Sequence, residues 1–209
     1  MNYHRGISRL SHVVMVVLSL AAILPFVLLV IASFTDNAVA VSEGFSFWPS
    51  KWSTDAYEYI VNERATLLRA YGITILVTLI GTSVGLMIST MLAYTLSNDE
   101  LPGRKVLTFF VVLTMLFNGG LVPTYLIYTN VFHIKDTLLA PIVPSLLMSG
   151  FNVVLIRNYF ATGVPKSLYE AARIDGAGEI YIFARIALPL SKPILATVGL
   201  LMGIAYWND

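Results

Sequence analysis

The sequence contains no cysteine and few charged residues. Without cysteine, the chain cannot form disulfides, thiolate metal sites or cysteine-based catalytic sites. Only 12% of its 209 residues are charged, whereas about 25% is usual in soluble domains. Hydrophobic residues make up 57% of the chain, and the net charge is +1. This composition predicts a protein of the lipid bilayer and argues against a nucleic-acid partner.

Five apolar runs account for the low charge, and none of them contains Lys, Arg, Asp or Glu. A helix needs about 20 mostly apolar residues to span the hydrocarbon core. The runs cover residues 13–33, 71–96, 106–128, 138–156 and the stretch from Pro193 to Trp207, close to the end of the sequence. The first run is longer than the ~7–15 apolar residues of a secretory signal, which favours a retained anchor. We therefore predict an all-α, polytopic bundle of transmembrane helices with five visible spans.

The distribution of Lys and Arg predicts the orientation of these spans, because basic residues accumulate in cytoplasmic loops. With a cytoplasmic N-terminus, nine of the 13 basic residues lie inside and the other four lie outside. The inner set is Arg5, Arg9, Arg104, Lys105, Arg157, Lys166, Arg173, Arg185 and Lys192, and the outer set is Lys51, Arg64, Arg69 and Lys135. We predict a cytoplasmic segment at 1–12, a transmembrane domain over 13–209, an outer loop at 35–70 and a cytoplasmic loop at 157–192.

The loop at 157–192 contains two short amphipathic segments. Ser167 and Glu170 have the spacing of a capping box, in which each side chain binds the other residue's backbone amide. Gly176 is expected to end this first helix in a left-handed conformation. One face of the helix is predicted to be small and flat, and it consists of Leu168, Ala171, Ala172 and Asp175. Such a helix suits either docking into a partner's groove or lying as a connector on the membrane surface.

The second segment places Ile182, Phe183 and Ile186 on one side and is expected to end at Pro189. Pro193 then stands where a new helix can begin.

Together these residues resemble a known motif. Glu170-Ala171-Ala172, Gly176, Ile186, Leu188 and Pro189 match the EAA loop of ABC-importer permeases, E-A-A-x3-G-x9-I-x-L-P. Four sequence segments are similar to the carbohydrate-uptake branch of these permeases, the maltose-permease type. They are "EAARIDGAG", "LPLSKPILA", "LPGRK" and "GGLVPTYL". The resemblance extends over most of the chain from about Tyr71 onward.

The resemblance implies half of a type I importer in a bacterial inner or plasma membrane. In such proteins the EAA helix inserts into a cytoplasmic ABC ATPase dimer, and Glu170 and Gly176 occupy the matching positions. A second permease subunit completes the pore, and an extracytoplasmic solute-binding protein delivers a sugar or oligosaccharide. The implied coupling residues are Ser167, Glu170, Ala171, Ala172, Asp175, Gly176, Ile186 and Pro189.

Several further absences fit this interpretation. The sequence has no G-x4-G-K-[ST] phosphate loop, so ATP must be hydrolysed by a partner subunit and no cofactor is expected on this chain. His4, His12 and His133 are too far apart in sequence to suggest a metal site. The apolar runs lack the buried ionisable residues that are typical of intramembrane proteases and proton-coupled carriers. We therefore expect no enzymatic activity.

Polar interruptions of the apolar runs are candidates for the solute pathway. Asn118-Gly119-Gly120 with Pro123 should break the third run, either as a structural kink or as a cargo-lining element. Sugars bind amides, hydroxyls and aromatic faces, so the candidate residues are Asn118, Tyr125 and Asn152. In the second run, small residues recur every four positions at Gly81, Gly85, Ser89 and Ala93. They favour close helix packing over a pathway role.

Two alternatives to a sugar permease remain: a permease for another solute, and a membrane scaffold whose loop binds an unrelated partner. Residues 193–207 would extend only about 22 Å as helix, short of the ~30 Å hydrocarbon core. The resembling permeases also continue past a matching "WND". We therefore expect the full protein to complete this helix, to add one more span, and to need both for uptake.

Overall fold

The computed structural model describes residues 2–144 and 147–209, without the side chains of residues 2–7, 9 and 10. The orientation residues Arg5 and Arg9 therefore lie outside the described side chains, and His4 does too. The chain divides into two compact units, Met1–Ala70 and Tyr71–Asp209.

The first unit contains a long apolar helix and two short ones. Helix α1 covers Asn2–Ser33, and its stretch Ser11–Ser33 is long and apolar enough to cross a membrane, as the first run predicted. Helices α2 and α3 cover Asn37–Glu43 and Asp55–Asn62. The apolar side chains of α1 are exposed, with Phe26 at 71%, which suits a helix surrounded by lipid.

The segment after α1 is held by an ion pair. Asp36 caps α2 by accepting a hydrogen bond from the amide of Ala38 at 2.9 Å. Lys51 Nζ donates to the other carboxylate oxygen of Asp36 at 2.6 Å. A single antiparallel bridge joins Thr35 to Trp52. These contacts fix the chain on both sides of the exposed 44–50 segment.

The second unit is helical throughout most of its described length. Helix α4 covers Arg64–Ser97, and its residues from Tyr71 onward belong to this unit. The elements that follow are α5 (Arg104–Leu116), α6 (Leu121–Leu126), a π-helical turn π1 (Ile127–Val131), α7 (Gly150–Thr162) and α8 (Lys166–Ile174). The last are α9 (Glu179–Ile182), a second π-helical turn π2 (Phe183–Ala187), α10 (Leu188–Leu190) and α11 (Lys192–Trp207).

By length and composition, two described helices could cross a membrane, and two bent helix pairs raise that number to four if each pair is one span. The first pair, α5 with α6 and π1, bends by 113°. Its break covers Asn118-Gly119-Gly120, as predicted, because glycine favours extended and left-handed backbone there. The second pair, residues 179–190 with α11, bends by 80°.

The fourth predicted span is wrong as a continuous helix. The described residues between 135 and 144 form turns, and helix α7 begins only at Gly150. Pro141 and Pro144 explain the difference, because proline lacks the amide proton of the helix ladder and clashes with the preceding turn. Residues 145 and 146 of this run lie outside the description.

The stripe of small residues on α4 packs against α11. A Cβ placed on Gly81 would lie 2.5 Å from the ring carbon Cζ of Tyr206, and one on Gly85 would lie 2.5 Å from Cε of Met202. Ser89 and Ala93 are completely buried. The hydroxyl of Tyr206 donates to the carbonyl of Ile142 at 3.0 Å. The contacts therefore support the packing role of this stripe.

Pro189 does not end the second amphipathic segment, because helical turns continue to Leu190. In a regular α-helix the proline ring would clash with the carbonyl four residues earlier. Here the preceding turn is π2, in which the amide of Leu188 binds the carbonyl of Phe183 across five residues. The chain leaves the helical conformation only at Ser191, which has φ −100° and ψ 10°. Helix α11 then begins with Pro193 in its first turn, as predicted.

Candidate docking loop and solute cavity

The docking loop, defined here as residues 166–190, begins without the predicted capping box. Helix α8 starts at Lys166 and its N-cap is Pro165, so Ser167 is already the second helical residue. A helical Ser167 cannot accept from the amide of Glu170 as an N-cap does, and no side chain caps this end. Pro165 moves the start because its extended ψ of 126° places the next residue at the first helical position.

The other end of α8 is capped as predicted. Gly176 has a φ of +80°, which is the left-handed conformation that glycine adopts without strain. Its amide donates to the carbonyl of Arg173 at 3.0 Å, and the amide of Ala177 donates to Ala172 at 2.9 Å. This pair of bonds is a Schellman motif. The chain therefore turns sharply at the end of α8.

The two alanines of the motif do not share one face, contrary to the prediction. Ala172 is buried against the chain itself, whereas Ala171 is exposed. Tyr169 and Arg173 lie half-buried on the inner side with Ala172. The reason is that α8 packs on the side of Tyr169, whose ring contacts Tyr94 of α4. The exposed residues of α8 are Lys166, Ser167, Leu168, Glu170, Ala171 and Ile174, and the C-cap residue Asp175 is exposed as well.

Two isoleucines on the docking loop are almost fully exposed. Ile174 at the end of α8 is 86% exposed, and Ile180 of α9 is 85% exposed. They flank the glycine turn of Gly176 and Gly178. These two residues were not identified from the sequence. An isoleucine beside charged residues in a short polar helix is a signal that could have indicated an exposed binding residue. Exposed apolar side chains grouped in this way are typical of a binding surface.

The second segment has the predicted sidedness. Ile182 is completely buried, and Phe183 and Ile186 are half-buried on the same side. Pro189 is exposed.

A carboxylate of α9 joins α8 to α4. Glu179 accepts from Arg173 Nε at 2.8 Å and from the hydroxyl of Tyr94 at 2.9 Å. The ring of Tyr94 also contacts those of Phe160 and Phe183. The hydrogen bond from Arg173 is the main cause that holds the pKa of Glu179 below its usual value, and burial partly opposes it.

A second polar group lies at the C-terminal end of α4. Asp99 pairs with both Lys166 of α8 and Arg104 of α5, and the hydrogen bond from Lys166 is the largest cause that lowers its pKa. The carbonyl of Leu96 accepts from Arg104 Nε at 2.9 Å and from Arg157 Nε at 3.0 Å. Cations suit this position because the C-terminal end of a helix carries partial negative charge.

The three solute-pathway candidates lie in different environments. Asn118 is exposed and lines a cavity of about 800 Å³ together with Thr124, Tyr128 and Ser149. Its side-chain oxygen accepts from the amide of Gly120 at 2.9 Å, which shapes the break. Tyr125 is 53% exposed and lies outside this lining, and Asn152 is buried in α7. Thr124 and Tyr128 were not among the sequence candidates.

Among the described residues, no cluster of His, Asp or Glu could hold a metal ion.

The chain is similar to known transport proteins. A family model described as "Binding-protein-dependent transport system inner membrane component" matches residues 85–209. Protein LplC of Bacillus subtilis (strain 168) is 40% identical over 90% of this chain and 62% of its own length. The polygalacturonan/rhamnogalacturonan transport system permease protein YtcP of the same organism is 39% identical over 91% of this chain. The chain spans 65% of the length of YtcP, so it matches less than two thirds of either relative.

A solved structure has the same fold. It is a bacterial ABC transporter involved in the import of the acidic polysaccharide alginate, with a TM-score of 0.84 and 31% sequence identity. The match covers 98% of this chain and 72% of the solved chain. The all-α, membrane-spanning fold predicted from the sequence is thereby confirmed.

Proposed function

Because the chain belongs to the family of inner membrane components of binding-protein-dependent transport systems, we propose that it is the permease subunit of a saccharide importer. Its docking loop receives the force of ATP hydrolysis from a partner ATPase dimer. The family is one of transport components and not of enzymes. The proposal includes a second permease subunit and an extracytoplasmic solute-binding protein.

The observation that carries the proposal is the outward face of the docking loop. It combines Glu170, the left-handed Gly176 and the exposed Ile174 and Ile180 on one short segment. Such a small surface offers two apolar anchors beside a charge, and hydrophobic anchors supply most of the energy of protein interfaces. The basic residues around it favour the cytoplasmic side, where an ATPase is available.

A saccharide is the proposed cargo. Relatives of this chain are named for polygalacturonan or rhamnogalacturonan, arabinooligosaccharides and maltodextrin. The cavity beside Asn118 offers an amide, the hydroxyls of Thr124, Tyr128 and Ser149, and the aromatic ring of Tyr128, which together suit a sugar. Asn118, Tyr125 and Asn152 remain the proposed contacts with the solute path, and the cavity supports Asn118 most directly.

The test is copurification of the chain with its partners from its native membrane. We expect an ABC ATPase and a second permease to copurify with the unmodified chain. Glu170→Lys should insert normally but reduce the recovered ATPase at least ~30-fold, since removing one partner of a buried charge pair costs about 2–5 kcal/mol. Gly176→Trp should also insert normally and reduce the recovered ATPase, because a bulky residue is strained at a φ of +80° and would obstruct the docking surface. Glu58→Lys is the matched control, because Glu58 is exposed on α3, far from the docking loop in sequence.

An unmodified chain that recovers no ATPase would refute the importer assignment and favour a membrane scaffold. Recovery of ATPase with Gly176→Trp at the control level would refute the role of the docking loop alone. The bound ligand of the copurifying binding protein, identified by mass spectrometry, decides between a saccharide and another solute.

A further inference from the structure

One carboxylate connects three elements of the second unit. Glu179 begins α9, and its two oxygens bind Arg173 of α8 and Tyr94 of α4 at 2.8 and 2.9 Å. The two partners lie on different elements, so the carboxylate works as a bridge across the groove between α8 and α4. Nothing in the EAA motif requires a residue at this position.

Helix α8 has few other attachments that would fix its position. Ala172, at 9% exposed, is the only buried residue of α8, and alanine buries little apolar area. Tyr169 is half-buried against the hydrophobic core and contacts the ring of Tyr94 edge-on, at a centroid distance of 6.1 Å. Lys166 reaches Asp99, but both of those side chains are more than half exposed. The pair of Arg173 with Glu179 is less exposed, with the side chain of Arg173 at 35% and that of Glu179 at 54%. Glu179 also accepts the hydrogen bond of Tyr94, so it joins α8 to α4 through two bonds, whereas an exposed ion pair alone contributes little.

The end of α4 is in turn connected to two more helices. The carbonyl of Leu96 accepts from Arg104 of α5 and Arg157 of α7. These bonds lie within the last turn of α4, one turn or less beyond Tyr94. A displacement of α8 that moves Tyr94 therefore reaches α5 and α7 through this turn.

We infer that Glu179 is a positioning residue that makes α8 and the C-terminal end of α4 move together. Through it, force received by the docking loop reaches α5 and α7 and the cavity beside Asn118. This inference rests on the proposed function, because it concerns how the docking loop transmits force. Tyr94 is the second half of the bridge, and its ring would keep its aromatic contacts if the hydroxyl alone were removed.

The absence of native cysteine allows a direct test. Ala172→Cys places one thiol on the buried face of α8. A water-soluble maleimide reacts with it only when α8 moves away from the residues that cover this face. The reaction is measured in membrane vesicles that contain the chain with its copurifying subunits. Glu179→Gln should raise the labelling rate about three- to tenfold, and Tyr94→Phe about two- to threefold, because each removes part of the bridge.

Two controls separate positioning from general damage. Glu58→Gln removes an exposed carboxylate of α3, outside the second unit, and should change labelling less than about twofold. The exchange Arg173→Glu with Glu179→Arg restores an opposite-charge pair and should return the rate toward that of the parent. Unchanged labelling with Glu179→Gln would overturn the inference, whatever happens to transport.

A second measurement tests whether Glu179 transmits force from the docking loop to the cavity beside Asn118. Asn118→Cys in the parent chain should change its labelling rate when ATP is added to the vesicles. With Glu179→Gln, the labelling response at Asn118→Cys should be lost even when it is divided by the ATP hydrolysed in the same vesicles. A full response in that variant would overturn transmission through Glu179. No ATP response in the parent chain would instead refute the proposed function.

Discussion

The contact between α4 and α11 yields a quantitative prediction for Gly81→Ala. The added methyl carbon would lie 2.5, 2.6 and 2.8 Å from three ring carbons of Tyr206. Real Cβ atoms do not approach carbon this closely, so either the helices separate or the ring moves. The ring is held at its far end, because its hydroxyl binds the carbonyl of Ile142 at 3.0 Å.

The loss of stability caused by Gly81→Ala follows from these two alternatives. Forcing an extra methyl group into a packed core costs about 1–3 kcal/mol. If the ring moves instead, a hydrogen bond within the membrane is lost, which costs about 0.6–1.7 kcal/mol. The matched control is Gly72→Ala on the same helix, where no atom lies within 4 Å of the added carbon. This control should be neutral or stabilising by up to about 1 kcal/mol, since alanine favours helix over glycine.

The assay is thermal unfolding of the detergent-solubilised chain with its subunits, followed by intrinsic fluorescence. We expect Gly81→Ala to unfold about 2–16 °C below Gly72→Ala, using about 2–4 °C per kcal/mol for a chain of this size. Combining Gly81→Ala with Tyr206→Leu should cost at least ~1 kcal/mol less than the sum of the two single changes. Equal stability of the two alanine variants, or strict additivity in the double variant, would refute the packing argument.

Three further predictions use the same chain. The thiol of Asn118→Cys should react with a water-soluble maleimide at least ~10 times faster than that of Asn152→Cys, because the first position lines an open cavity and the second is buried; equal rates would contradict this. Gly176→Ala should destabilise the end of α8 by about 1 kcal/mol in hydrogen exchange, while Gly178→Ala should not, because only the first has a left-handed φ; similar effects would refute the role of that conformation. The lysine partner lowers the pKa of Asp36, so its stabilising contribution is present above the ordinary value of 3.8 and is lost as the pH falls through the lowered pKa. Protease cleavage of the 44–50 segment should therefore stay constant between about pH 8 and 5 and rise only below about pH 4, and a rise near pH 6 would count against the ion pair.

Features governed by one residue's backbone chemistry were predictable from the sequence. The break at Asn118-Gly119-Gly120 and the left-handed cap at Gly176 both follow from the missing Cβ of glycine. The apolar runs gave the first two spans because length and hydrophobicity alone decide whether a helix suits the bilayer.

Features that depend on competition between neighbouring residues were mispredicted. Ser167 has the right spacing for a cap, but Pro165 starts the helix earlier. The fourth run is apolar enough for a span, yet Pro141 and Pro144 interrupt it, since hydrophobicity reports the surroundings of a segment and not its conformation.

Contacts between distant residues gave no sequence signal. Tyr94 and Glu179 are 85 residues apart, and neither stands out in composition or periodicity. The inward rotation of Ala172 also depends on where Tyr169 finds its aromatic partner. Only the folded chain places these residues together.

The non-helical Ser191 lies between two prolines, Pro189 and Pro193, and the helical segments on either side of it differ in direction by 80°. Such a joint behaves as a mechanical elbow. A movement of the first segment, residues 179–190, along its own axis would displace the start of α11 mostly sideways. Only a small part of the displacement would lie along the axis of α11. Helix α11 would therefore tilt sideways and hardly slide along its own axis. A movement of that kind opens or narrows a gap between helices without drawing polar groups into the lipid.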